Sequence, residues 1–147
     1  MIVHRIYPLS PKKITLRTPF SLSYISAGFP SPAEPHLDKA LNLHELMVEN
    51  PASTFFVRVS GDSMTGAGIQ SNDILVVDRS KEVQNNDIIV AILFGEFTVK
   101  RWVQRKQKAF LEAENPHYPP IEITSDSDFE IWGVVTYAIH TLHPISI

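Results

Sequence analysis

From Thr54 onward, short apolar runs alternate with clusters of turn residues, which is the pattern of an antiparallel β protein. The runs are rich in β-branched and aromatic residues and predict strands at 54–59, 73–78, 87–94, 96–103, 108–114, 121–123 and 130–140. The segment Phe94-Gly95-Glu96-Phe97 predicts a tight hairpin with Gly95 first in the turn. We therefore predict a mainly β fold.

The first third of the chain has a different character, because prolines punctuate it repeatedly. We predict an extended N-terminal arm over residues 1–36 and a β-rich domain over residues 37–147. One short helix is predicted to begin at Asn42, where Glu45 three residues later completes a capping-box pattern, and to end before Asn50-Pro51. Its apolar side chains are expected to pack on the β domain; they are Leu43, Leu46 and Met47.

Composition narrows the function classes. The 147 residues carry a net charge of −3 and no polybasic run, so direct sequence-specific DNA binding is not expected. The absence of cysteine excludes disulfides, thiolate metal sites and a cysteine nucleophile. The longest apolar run, 88–94, is far shorter than the roughly 20 residues that span a bilayer. The N-terminus shows no signal-peptide pattern. We expect a cytoplasmic protein without a membrane segment.

One turn carries a candidate nucleophile. Ser63 lies in the segment Ser60-Gly61-Asp62-Ser63-Met64, which directly follows a predicted strand. A nucleophilic serine needs a sharp turn that presents its hydroxyl, with backbone N–H groups nearby to bind an oxyanion. Gly-Asp-Ser is also a common turn sequence, so an ordinary structural turn is the simpler interpretation of this segment alone.

The candidate base is a lysine. The six histidines are scattered and form no Ser-His-Asp arrangement, and His140-x-x-His143 lacks a third metal ligand, so no metal site is predicted. Lys100 lies mid-strand, where period-two alternation puts it on one face with Thr98 and Trp102. A lysine in apolar surroundings has a lowered pKa and can serve as a general base. The alternative is a solvated lysine at a strand edge.

Together these segments resemble the LexA/UmuD family of self-cleaving serine peptidases. In that family a serine in a Gly-x-Ser-Met turn pairs with a lysine on a later strand, and here Ser63 and Lys100 are 37 residues apart. Phe-Thr-Val-Lys at 97–100 matches the UmuD form of the lysine strand. Asp73 begins the family's next strand, with Asn72 in place of the usual glycine, and residues 133–135 match its Gly-Val-Val run.

The resemblance extends upstream to a cleavage site. Ala27-Gly28 lies 36 residues before Ser63 and is followed by Phe-Pro-Ser-Pro-Ala, the UmuD-type continuation. The match thus covers about residues 20–138. It implies a LexA/signal-peptidase-like antiparallel β domain that cleaves itself between Ala27 and Gly28. By resemblance, Ser63 is the nucleophile and Lys100 the base, the backbone N–H groups of Asp62 and Ser63 form the oxyanion hole, and no cofactor is needed.

Within the family, the UmuD-like branch fits better than the LexA-type repressors. Only 27 residues precede Gly28, too few for the helix-turn-helix domain of a repressor. The resemblance implies a role in SOS-response mutagenesis after DNA damage, with cleavage stimulated by a RecA–single-stranded DNA filament. The cleaved form is expected to be an accessory subunit of an error-prone translesion polymerase, bound to a UmuC-like Y-family polymerase subunit.

A homodimer is also implied, and an apolar strand near the C-terminus is a candidate interface unless it lies in the core; its residues are Val134, Val135, Tyr137 and Ile139. Three other functions stay open from the residues. They are a non-catalytic β-fold interaction module, a Ser/Lys signal peptidase, and a LexA-like repressor fragment from a phage or mobile element.

Overall fold

The structure of the chain is a computed structural model that describes residues 1–10, 18–21 and 37–143. By contacts it divides into two compact units. The larger unit combines Met1–Leu9 with Asn50–Ile147, and the smaller one is Ser10–Glu49. Ser63 and Lys100 both lie in the larger unit.

The described residues form ten strands and one α-helix. In chain order they are β1 (Ile2–Pro8), β2 (Thr18–Ser21), β3 (Leu37–Leu41), α1 (Leu43–Met47), β4 (Thr54–Ser60), β5 (Ile74–Asp78), β6 (Ile88–Leu93), β7 (Glu96–Arg105), β8 (Lys108–Glu112), β9 (Ile121–Ile123) and β10 (Phe129–Ile139). Every strand predicted from the alternation after Thr54 is present, with boundaries that differ by at most two residues.

The larger unit is one antiparallel sheet with the strand order β1-β4-β5-β10-β6-β7-β8-β9. A further antiparallel pairing, Ile2 with Thr98, joins β1 to β7. This pairing closes β1, β4, β5, β10, β6 and β7 into a ring, and β8 and β9 extend the sheet beyond it. The predicted mainly antiparallel β fold is confirmed. The closure matters for the site, because it brings the start of the chain beside β7.

The C-terminal strand β10 is not a sheet edge. It lies between β5 and β6 and pairs with both, so the apolar run considered as a dimer edge is internal to the sheet. Val134 is buried in a core cluster with Ile89 and Leu111, and Val135 packs against the other core cluster. These two valines therefore belong to the core, as the alternative prediction had it, and not to an exposed dimer edge.

The N-terminal residues also differ from the prediction. Residues 2–8, expected to belong to an extended arm, form β1 and pair with β4 along its whole length. Val3 and Ile6 pack on the core, so apolar burial outweighs the effect of Pro8 at the strand end. The predicted arm boundary at 36/37 remains a prediction, because residues 22–36 lie outside the described part of the chain.

In the smaller unit, β2 pairs antiparallel with β3. Helix α1 begins as predicted, because the Asn42 Oδ1 atom accepts a hydrogen bond from the backbone N–H of Glu45 at 3.2 Å. It ends at Met47, before Asn50-Pro51. Leu43 and Leu46 are exposed, so the expected burial of the helix's apolar face is not seen.

The β6–β7 hairpin corrects one detail of the sequence analysis. Leu93 pairs with Glu96, so the two turn residues are Phe94 and Gly95, and Gly95 is the second of them rather than the first. Both have positive φ, 48° and 80°, as a type I′ turn requires. The neighbouring pairs along the two strands force this conformation on Phe94.

Candidate active site

The candidate nucleophile lies in the turn that leaves β4. Gly61 has a φ of 100°, a conformation that favours glycine, and this bends the chain sharply after Ser60. Ser63 is only 1% exposed, and Met64 after it is fully buried in the larger core cluster. A short 3-10 helix, Thr65–Ala67, follows and anchors the turn. The sequence therefore folds here into a tight turn that holds a serine hydroxyl inside the protein.

Lys100 reaches this serine from the middle of β7. Its partner on β6 is Ile89, and the side chain is 8% exposed, so the alternative of a solvated edge lysine is wrong. The Lys100 Nζ atom donates a hydrogen bond to the Ser63 Oγ atom at 3.0 Å. A buried serine thus has an amine as its direct neighbour, which is the geometry that proton transfer between the two requires.

A third group, missed by the sequence analysis, completes the contacts of Ser63. The α-amine of Met1 donates a hydrogen bond to Ser63 Oγ at 2.5 Å. Burial, followed by the hydrogen bond and charge of Lys100, lowers the pKa of this amine from 8.0 to about 5, against a smaller opposing effect of Asp62. The Met1 carbonyl accepts hydrogen bonds from Val99 N at 3.2 Å and from Thr98 Oγ1 at 3.1 Å.

A loop after β8 covers the other side of the turn. The Tyr118 hydroxyl donates to Asp62 Oδ1 at 2.7 Å, and Asn115 Nδ2 donates to the Asp62 carbonyl at 2.9 Å. The hydrogen bond with Asp62 raises the pKa of Tyr118. The Tyr118 ring lies over Lys100 Nζ, 5.6 Å from the ring centroid. The prolines around this loop indicated only a break in the β structure, and nothing in the local sequence pointed to the site.

The two expected oxyanion donors lie in the same turn. In the described part of the chain, the backbone nitrogens of Asp62 and Ser63 donate no hydrogen bond. They are therefore free of competing acceptors there, as an oxyanion hole needs. The expected cleavage site, Ala27-Gly28, falls outside the described residues.

The remaining candidates have structural contacts. His140, weighed as half of a metal pair, places Nδ1 2.7 Å from Asp73 Oδ1. Asp73 is 1% exposed, and its other oxygen accepts from Gln70 N at 2.9 Å. Among the described residues no three histidine or carboxylate side chains are grouped to hold a metal ion. Nor does any helix there have the length and apolar character to cross a membrane.

Backbone geometry explains the residue type at two positions in the segments that resemble the LexA/UmuD family. Asn72, which replaces a glycine, has a φ of 74°, and asparagine is among the few other residues that tolerate this left-handed conformation. Gly133 begins the Gly-Val-Val run on β10. A Cβ atom there would lie 2.6 Å from Val77 Cγ1, so the close approach of β5 and β10 requires glycine.

The sequence also matches known proteins. The model of the "Peptidase S24-like" family matches residues 19–136. The chain belongs to this family. It is 45% identical to Protein MucA of Salmonella typhimurium over 128 residues, 86% of each chain. It is 43% identical to Protein ImpA of Shigella flexneri over 114 residues, 78% of this chain and 77% of the relative.

A more distant relative is the LexA repressor of Shewanella piezotolerans. It is 34% identical over 119 residues, 81% of this chain but only 57% of the repressor. The chain is therefore a UmuD-like member of the LexA/UmuD group. In broad terms this membership gives it a part in SOS mutagenesis and a place in a lineage of self-cleaving serine peptidases.

Proposed function

We propose that this chain cleaves its own backbone between Ala27 and Gly28, with Ser63 as nucleophile and Lys100 as general base. The observation that carries the proposal is the hydrogen bond between Lys100 Nζ and Ser63 Oγ at 3.0 Å, within a pair that is less than a tenth exposed. A buried lysine that contacts a serine in a glycine turn is suited to peptide hydrolysis without histidine.

The proposed reaction has two stages. Neutral Lys100 accepts the proton of the Ser63 hydroxyl as Oγ attacks the carbonyl carbon of Ala27. The tetrahedral oxyanion is bound by the N–H groups of Asp62 and Ser63, and collapses as the C–N bond breaks. The proton on Lys100 passes to the leaving nitrogen of Gly28. Water then hydrolyses the ester between Ala27 and Ser63 and releases residues 1–27.

The scissile bond belongs to the same molecule as the nucleophile. Tethering raises its effective concentration, so small residues at positions 27 and 28 are sufficient for close approach and no strong specificity pocket is needed. A RecA–single-stranded DNA filament would stimulate the reaction by binding preferentially to the arrangement that presents the bond.

The cleaved chain, residues 28–147, is proposed to act as an accessory subunit of an error-prone translesion DNA polymerase. Its partners would be a UmuC-like Y-family polymerase subunit and a second copy of itself. Support for this role comes from the family and from the 45% identity to Protein MucA. A net charge of −3 is consistent with action through protein partners rather than through direct DNA binding.

Intact-mass spectrometry tests the proposal directly. The purified chain is incubated near pH 7.5 and near pH 10, with and without a RecA–single-stranded DNA filament and ATP. We expect a new species with the mass of residues 28–147, formed faster at high pH or with the filament, and absent from Ser63→Ala. A folded chain that yields no fragment under any condition would instead indicate a non-catalytic interaction module.

A further inference from the structure

The first residue of the chain is held in the candidate active site by three main-chain contacts. Its nitrogen contacts Ser63 Oγ at 2.5 Å, and its carbonyl oxygen accepts hydrogen bonds from Val99 N and Thr98 Oγ1. We refer to these partners, Ser63 Oγ, Val99 N and Thr98 Oγ1, as the Met1 site. The Met1 side chain is 7% exposed and belongs to the core cluster that includes Met64 and Val99.

The direction of the chain in this site is informative. When a serine attacks a peptide carbonyl, the nitrogen of the following residue is one carbon atom away from Oγ and leaves as an amine. Met1 presents an amine to Ser63 Oγ, and the chain then runs away along β7 through Ile2, which pairs with Thr98. The start of β1 therefore has the position and direction of the leaving half of a cleaved peptide.

We propose that the Met1 site is the binding subsite for the residue that follows the scissile bond, and that β1 and the scissile segment occupy it in turn. This inference rests on the proposed self-cleavage, in which the residue after the bond is Gly28. Val99 N and Thr98 Oγ1 would bind the Gly28 carbonyl as they bind that of Met1. Thr98 is then a positioning residue for the substrate.

Exclusive occupancy follows from the contacts. Apart from Lys100 Nζ, the nitrogen that contacts Ser63 Oγ is that of Met1, and the Met1 carbonyl is the acceptor of the Val99 N–H group. A second chain segment could make these contacts only after Met1 has left. Glycine has no side chain to fill the volume that Met1 takes among Met64 and Val99. Burial of the Met1 side chain thus favours β1 in the site over Gly28, and the uncleaved chain is held back by its own first strand.

The test measures access to Ser63 as well as cleavage. A chain that starts at His4 is compared with the full chain, after thermal unfolding has shown that both fold. Reaction of Ser63 with a small fluorophosphonate is followed by intact mass, beside the formation of the fragment that starts at Gly28. We expect the truncated chain to be labelled and cleaved about tenfold faster or more. A peptide of residues 1–6, added in excess, should return the labelling rate toward that of the full chain.

A single substitution provides the test if the truncated chain does not fold. Thr98→Val removes one hydrogen bond to the Met1 carbonyl and keeps the shape of the side chain. Because loss of this hydrogen bond weakens the hold on β1, labelling of Ser63 by the fluorophosphonate should become about two- to tenfold faster. The matched control is Thr136→Val, because Thr136 Oγ1 donates to a backbone carbonyl, that of Val76, on another strand. The control should leave labelling of Ser63 unchanged.

The outcomes separate the two proposals. If a folded truncated chain or Thr98→Val is labelled at the rate of the full chain, β1 does not block Ser63 and the inference is overturned, whether or not cleavage occurs. If labelling accelerates but no fragment starting at Gly28 forms, the proposed self-cleavage fails. The Met1 site would then be a peptide-binding site, not a subsite for the leaving half of a substrate.

Discussion

The aromatic ring of Tyr118 lies over the Nζ atom of Lys100, 5.6 Å from the ring centroid, while its hydroxyl donates to Asp62 Oδ1 at 2.7 Å. An aromatic face attracts an ammonium ion but not a neutral amine. The ring therefore contacts the proposed general base, and the hydroxyl separately anchors the turn that carries Ser63.

Two substitutions at Tyr118 distinguish these effects. Tyr118→Phe and Tyr118→Leu both remove the hydroxyl, but only the leucine variant removes the ring. We expect Tyr118→Leu to cleave itself about two- to fivefold faster than Tyr118→Phe near pH 7, the range for a cation–π contact whose ring is solvent-exposed, as that of Tyr118 is. Equal rates at neutral pH would show that the ring has no effect on the lysine.

Substitution of Lys100 tests the general base itself. Lys100→Met keeps much of the apolar stem but has no basic nitrogen, and Lys100→Arg keeps a positive charge that cannot be removed in a protein. Both variants should lose self-cleavage, because neither accepts the Ser63 proton. In the unsubstituted chain the rate should rise with pH as the neutral fraction of an amine base increases. Cleavage by Lys100→Arg, measured by intact mass, would exclude the proton-transfer role.

The strands and the serine turn could be predicted because their signals are local. Alternation of β-branched residues with turn residues defines β4 to β10, and the family resemblance linked Ser63 to Lys100 across 37 residues. The conformation of Phe94 was harder to predict, because phenylalanine rarely adopts a positive φ. Here its φ is 48°, and the pairing of the flanking strands holds it there. Local sequence alone does not contain that tertiary effect.

The parts of the site that were missed depend on long-range contacts. Met1 is 62 residues from Ser63, and Tyr118 is 56 residues from Asp62. Nothing in the pattern of residues 1–8 shows that β1 closes the ring against β7, because prolines near the strand suggested an irregular arm. The pairing is fixed by burial of Met1, Val3 and Ile6 in the core, which emerges only when all strands are present.

Asp78 is expected to control stability in acid. It is 3% exposed, and although burial alone would raise its pKa, hydrogen bonds from Asn50, Ser80 and Ser53 lower it from 3.8 to about 2. Because the folded pKa is below the unfolded one, the stabilisation is complete above about pH 4. It is lost as the pH falls through 2, and amounts to roughly 2 kcal/mol.

Urea unfolding between pH 5 and pH 2 measures this contribution. Asp78→Asn should lower the free energy of unfolding at pH 5 and flatten its decrease between pH 4 and pH 2 relative to the unsubstituted chain. The control is Asp126→Asn in an exposed turn of the larger unit, where the decrease should be retained. A parallel decrease in Asp78→Asn and the unsubstituted chain would assign the acid sensitivity to other carboxylates.

Gly133 lets β10 approach β5, and a double substitution tests that contact. In Gly133→Ala the new Cβ would lie 2.6 Å from Val77 Cγ1, too close unless the Val77 side chain or a strand moves, with Arg79 Cγ next at 3.3 Å. We expect the single variant to lose about 1–3 kcal/mol of stability in urea unfolding, the usual range for overpacking a core. Val77→Ala removes the clashing methyl group. The double variant should therefore lose less stability than the two single variants lose together.

Val103→Ala is the matched control, because Val103 is a buried valine on β7 that is not among the nearest neighbours of Gly133. Its effect should be additive with that of Gly133→Ala. Equal coupling for both valines would contradict a local clash between β5 and β10.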